Sequence, residues 1–187
     1  MVPHMSPPVS ALPAQTSNGT AESGKPVIRA TVAADFPAAL ALLGQFYREE
    51  GFDPDPTSLS AKLSEFLADP ERNTMLLAFI GTTPIGFSTV SVSLSLEFGR
   101  FAEIDDLYVL PDYRGGGHGK QLLEAAWQWA TETARCACVS IVVTPEAEAA
   151  HGLVGFYGKY GFKDSRRHIL YRDTEQPVAP TQSDALR

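Results

Sequence analysis

One stretch, Arg114-Gly115-Gly116-Gly117-His118-Gly119-Lys120, constrains this chain more than any other. It follows a strand-like run from Phe101 to Leu110. It opens a helical pattern that runs from about Gly119 to Arg135. A helix N-terminus presents unpaired N–H groups and a partial positive charge. Glycines let an anion reach that backbone, because no Cβ intervenes. Arg114 and Lys120 add positive charge. A strand, a glycine turn and a helix in this order suit a phosphate-bearing ligand. The stretch is not a P-loop, since it lacks Gly-x-x-x-x-Gly-Lys-Ser/Thr. Nor is it a dinucleotide fingerprint, which places its glycines after the first strand with an acid about 20 residues on.

The pattern around it sets the fold class. Val27 to Ala30 reads as a short strand. Ala33 to Glu50 carries Phe36, Leu40, Leu43 and Tyr47 at helical spacing. A Pro/Asp turn ends it, and Ser58 to Ala68 is a second amphipathic helix. Thr74 to Ile80 is an apolar strand, with Gly81 to Pro84 as a hairpin turn. In the next strand Val90, Val92, Leu94 and Leu96 face one way. Thr89, Ser91, Ser93 and Ser95 face the other, so one side packs and the other is polar. Beyond the glycine-led helix the pattern predicts a strand at Val139 to Val143, a helix at Ala147 to Tyr160 and a last strand at Arg167 to Arg172. The class is α/β, antiparallel at the front with a βαβ crossover at the back.

At 187 residues the chain fits one domain. Residues 1–25 are rich in Pro, Ser, Ala, Gly and Thr and are expected to form a disordered tail. Residues 26–175 are the domain, and 176–187 a flexible C-terminal tail. No apolar run approaches the roughly 20 residues of a membrane helix, and the N-terminus lacks a signal-peptide pattern. A cytoplasmic protein with no membrane partner is expected. The net charge of −7 argues against nucleic acid. Cys136 and Cys138 lack the further ligands a metal site needs. They read as buried, reduced thiols, with no metal expected.

These motifs resemble the GCN5-related N-acetyltransferase (GNAT) superfamily. Its signature, Arg/Gln-x-x-Gly-x-Gly/Ala, follows the fourth strand and binds the pyrophosphate of CoA; here it reads Arg114 to Gly119. Leu107-Tyr108-Val109-Leu110-Pro111-Asp112-Tyr113 is similar to the family's lead-in, and Phe156-Tyr157-Gly158-Lys159-Tyr160-Gly161-Phe162 to a later segment. The resemblance covers residues 27–172. It implies a GNAT fold with a mixed, mostly antiparallel sheet of six to seven strands and about four helices. It implies acetyl-CoA as cosubstrate, transfer to a primary amine, and homodimers paired through C-terminal strands. It also implies cofactor contacts from Leu107, Tyr108 and Val109, chiefly through backbone, and from Arg114, Gly115, Gly116, Gly117, His118, Gly119 and Lys120. Tyr157 matches the tyrosine that protonates the CoA thiolate. The family's asparagine seven residues earlier is absent, since Ala150 stands there beside His151.

The reaction also needs a proton acceptor, because amines near pKa 10 are mostly protonated at pH 7. Glu103, Asp105 and Asp106 crowd one strand. Glu103 and Asp105 share a face, and Asp106 takes the other unless a bulge intervenes. The spacing of Glu103 from Arg114 resembles histone-type members, whereas Ile104 to Val109 resembles the diamine (spermidine/spermine) acetyltransferases. All three acids are candidates. Glu49, Glu50, Asp53 and Asp55 at the helix junction point to a small cationic acceptor, polyamine- or aminoglycoside-like. A peptide lysine acceptor and a non-catalytic CoA-binding module are the alternatives.

Overall fold

The computed structural model describes residues 24–170. The expected tails lie almost wholly outside these residues. The elements are β1 (Val27–Ala30), α1 (Phe36–Glu49), α2 (Pro56–Leu67), β2 (Asn73–Ile80), β3 (Thr83–Ser95), β4 (Gly99–Val109), α3 (His118–Gln128), β5 (Cys138–Ile141), α4 (Pro145–His151) and α5 (Leu153–Gly158). The strands lie in the order β1-β2-β3-β4-β5. Every pair is antiparallel except β4 and β5, which α3 joins in parallel.

Local chemistry explains the elements. Asp55 caps α2, its carboxylate accepting the Ser58 N–H at 2.7 Å, and Pro56 occupies the first turn, where its missing N–H costs nothing. On one face of the sheet, Met75, Leu77, Phe87 and Tyr108 pack against Leu42 and Leu43 of α1 and Leu59 and Leu63 of α2. On the other, Val90, Val92, Ala102 and Ile104 pack against Leu123 and Ala126 of α3. Truncating a fully buried leucine such as Leu77 or Leu122 to alanine would cost ~2–5 kcal/mol, most of it lost burial and a residual cavity. α3 ends in a π-helical turn (Trp129–Thr133), which keeps Ala130 and Ala134 on this core.

Four expectations are corrected. The described sheet has five strands, not six to seven, and residues 167–170 form no strand; 171 and 172 lie outside the described residues. A C-terminal strand is therefore not seen where pairing of two copies was expected. The helix expected at Ala147 to Tyr160 is two helices, making five α-helices among the described residues rather than about four. Gly152, at φ +60°, ends α4 in the left-handed conformation, and the Glu148 carboxylate accepts the Val154 N–H at 2.6 Å to start α5. Leu94 and Leu96 are exposed, because β3 runs past the helices that cover Val90 and Val92. Finally, Cys136 is buried but precedes β5, and Cys138 is only half-buried; neither is bridged.

Candidate active site

β4 carries a bulge. Thr89 of β3 pairs with Asp106 and Val90 pairs with Ile104, so Asp105 is the extra residue. The bulge shifts the side-chain alternation by one. Ile104 faces α3, Leu107 and Val109 pack on the α3 side, and Tyr108 packs under α1 and α2. Asp106, opposite Thr89, joins the α1–α2 side that Glu103 shares with Ser91. The acids are thus not split between faces, as they would be in a regular strand.

Asp105 and Asp106 form the acidic end of a cleft of about 360 Å³ between α1, α2 and the sheet. The Thr89 hydroxyl donates to Asp106 Oδ2 at 2.7 Å, and the Ser91 hydroxyl to Asp105 Oδ1 at 3.0 Å. These residues are the polar face read from the sequence of β3. Asp105 is exposed to solvent at the cleft mouth, with protein packed around the strand that carries it. Desolvation pushes its carboxyl up to about 7; Ser91 opposes the shift, and the charges of Asp106 and Glu103 add to it. Asp106 is raised for the same first cause, opposed by the Thr89 bond and increased by Glu50. The Tyr47 hydroxyl is pushed up to about 12 by burial and by the two aspartates. Glu103 stands back from the cleft, where the Ser140 hydroxyl reaches it at 3.5 Å.

The other side of β4 is built from backbone. β5 pairs only with Phe101 to Ile104, so Asp105 to Val109 has a strand edge open on that side among the described residues. The glycine loop follows. Gly115 and Gly117 sit at φ +81° and +79°, conformations that any other residue enters at a cost. Gly117 precedes α3, whose first internal bond runs from the Gln121 N–H to the Gly117 carbonyl at 3.2 Å. The N–H groups of His118, Gly119 and Lys120 are left without helical partners. The His118 ring folds over Gly116, 2.8 Å from where a Cβ would stand, and its buried Nδ1 has no partner. Free amides, a helix dipole and an orphaned ring nitrogen together fit an anionic group.

The signature arginine has two protein partners. Arg114 Nε donates to the Val109 carbonyl at 2.9 Å, and its guanidinium pairs with Glu49 at the end of α1. The Tyr108 hydroxyl donates to the other Glu49 oxygen at 2.9 Å; burial, then this bond, pushes that phenol up to about 12. Arg114 thus ties the glycine loop to the helix that walls the cleft. Lys120 leans along α3 toward Glu124 and the Tyr160 ring.

Tyr157 lies on α5 in the α3-side core, edge-on to Phe156 and Phe162. Burial holds its phenol up to about 12, so it is fully protonated at neutral pH. Its hydroxyl has no hydrogen-bond partner among the described residues. The structure therefore brings Asp105 and Asp106 to one side of β4 and Tyr157 with the glycine loop to the other. His151 is exposed at the end of α4, and Trp127 packs edge-on against Phe162. No group of three His, Cys, Asp or Glu set to hold a metal occurs among the described residues. No described helix is long and apolar enough to cross a membrane. Tyr47 and Glu49 were missed as site residues. Tyr47 read as helix core, and Glu49 as one of four acids at the helix junction.

The sequence matches the Acetyltransferase (GNAT) family over residues 38–162. It is similar to the aminoglycoside N(6')-acetyltransferase type 1 of Stenotrophomonas maltophilia, at 30% identity over 136 residues, covering 69% of this chain and 84% of that protein. The fold is similar to that of an integron cassette protein from the mobile metagenome of Cole Harbour Salt Marsh (TM-score 0.70, 23% identity, 82% of this chain and 93% of that one). It is likewise similar to the aminoglycoside N-acetyltransferase AAC(6')-Iy solved with CoA (TM-score 0.67, 21% identity, 80% and 95%).

Proposed function

The chain belongs to the acetyltransferase (GNAT) family, and from that premise we propose that it acetylates the primary amine of a small cationic acceptor by direct attack in a ternary complex. Membership makes it an acyltransferase that uses acetyl-CoA. The acceptor class and the residue roles are our reading.

One observation carries it: two aspartates with raised pKa line a cleft on one side of β4, and the anion-fitting loop and Tyr157 lie on the other. Acetyl-CoA supplies the activated acyl group. The α3 N-terminal amides of His118, Gly119 and Lys120 hold its pyrophosphate, and the open edge from Leu107 to Val109 offers backbone partners to its arm. Asp105 orients the incoming ammonium and takes its proton. A base near pKa 7 is deprotonated about half the time at neutral pH and still strong enough to accept a proton. Asp106 shares the negative charge. Glu103 is set back and acts on their field rather than on the amine. Tyr157 gives its proton to the leaving thiolate. Walls from both helices favour a small acceptor over a peptide, which needs an open groove. The similarity to an aminoglycoside acetyltransferase supports the small-molecule class.

The test is CoA release from acetyl-CoA with polyamines, aminoglycosides, amino acids and lysine peptides. Turnover with small amines and little with peptides is expected. Turnover with peptides alone would overturn the small-acceptor reading.

A further inference from the structure

The acceptor cleft is lined by unlike groups. Its acids are Asp105 and Asp106 on the β4 bulge. Its apolar lining is Leu43, Leu59, Leu63 and Phe66, none of which can hydrogen-bond a hydroxyl or an ammonium through its side chain, and its neutral polar lining is Tyr47, Asn73, Thr89 and Ser91. Lys62 of α2 also lines it, and has no ion pair among the described residues. None of the four junction acids lines the cleft. Glu49 is engaged by Arg114 and Tyr108, and Asp55 caps α2. At about 360 Å³ the space is near the small end of the roughly 300–1,000 Å³ range of ligand pockets.

From this we infer that the acceptor is a compact monoamine: one ammonium head for Asp105 and Asp106, and an apolar alkyl or aryl body for the leucine and phenylalanine walls. This rests on the acetyl-transfer reading above and narrows it. Besides the two aspartates, the charged group in the cleft lining is Lys62, so a second ammonium meets a cation there rather than a further acid, and like charges repel. A polyhydroxylated amine loses hydration against the leucine and phenylalanine walls, while Asn73, Thr89 and Ser91 already donate to Phe66, Asp106 and Asp105. Lys62 is then a specificity-determining residue at the rim, without a part in the chemistry.

The experiment compares hexylamine with hexamethylenediamine, which differ only by the second amine, and adds phenethylamine and kanamycin. kcat/KM for each is read by CoA release in the wild type and in Lys62→Glu. Hexylamine and phenethylamine are expected to exceed the diamine by about tenfold, the scale of like-charge repulsion across a partly screened rim. Lys62→Glu should bring the two alkyl amines level or reverse their order. A diamine or kanamycin preference in the wild type would overturn the inference, as would an unchanged ratio in Lys62→Glu. CoA binding with acetylation of no amine would instead overturn the transfer reading beneath it.

Discussion

The two sides of β4 are built by different means. The α3 side, which carries the glycine loop and the open strand edge, presents main-chain N–H groups in fixed directions. The α1–α2 side presents carboxylates and hydroxyls on a bulged strand. Backbone donors are held by the fold itself, so they cannot be lost by a side-chain change unless the conformation fails. Carboxylates can be exchanged singly, and their basicity follows from what surrounds them. The comparison implies that damage on the two sides should have different signatures: lost cofactor affinity on one, lost proton transfer on the other.

The largest effect is expected at Gly117. In Gly117→Glu a side chain is forced to φ +79° and a carboxylate is set beside the amides of α3. Strain and like-charge repulsion should weaken acetyl-CoA binding on the order of 100-fold. Calorimetric titration checks this, with circular dichroism to confirm the fold.

Tyr157→Phe comes next. It removes the proton donor and keeps the ring that packs on Phe156 and Phe162. kcat should fall by about 100-fold, as for other positioned acids. The acetyl-CoA dissociation constant should stay within about twofold. A matching loss of affinity would place Tyr157 in cofactor binding instead.

Glu49→Gln should have the smallest effect, and it touches the link between the sides. The Glu49–Arg114 pair is partly exposed, so its loss is worth about 1 kcal/mol or less. That predicts a roughly twofold to fivefold rise in KM for acetyl-CoA, with kcat little changed, in steady-state kinetics. A large fall in kcat alone would move Glu49 into the acceptor side.

The same division explains what could be read in advance. Positive φ at Gly115 and Gly117 is a demand only glycine meets cheaply, so the loop is written in residue types. The alternation of β3 likewise announced the polar face at Thr89 and Ser91. The bulge at Asp105 left no such mark. It needs no special residue, and only the register against Thr89 and Val90 reveals it, so the orientation of Asp106 stayed open. The cleft's composition was hidden for a related reason. Leu43 and the apolar face of the second helix read as core on helical periodicity, and their approach to Asp105 depends on how two helices sit on the sheet. The acids at the helix junction misled in the other direction, because Glu49 and Asp55 have structural partners that sequence spacing does not show. The break at Gly152 is set by its left-handed conformation and by the Glu148 carboxylate that starts α5, which helical periodicity alone does not show.

The most direct test is the pH dependence of kcat/KM for an accepted amine, in the wild type and in Asp105→Asn, with acetyl-CoA affinity measured in parallel. The Asp105 carboxyl is raised to about 7, so it is protonated and idle below that pH and becomes a working base as pH rises through it. The wild-type profile should therefore rise through about pH 7, and Asp105→Asn should lose that limb while binding acetyl-CoA as before. An identical limb in the variant, or a loss of acetyl-CoA affinity in place of the limb, would contradict the division of labour across β4.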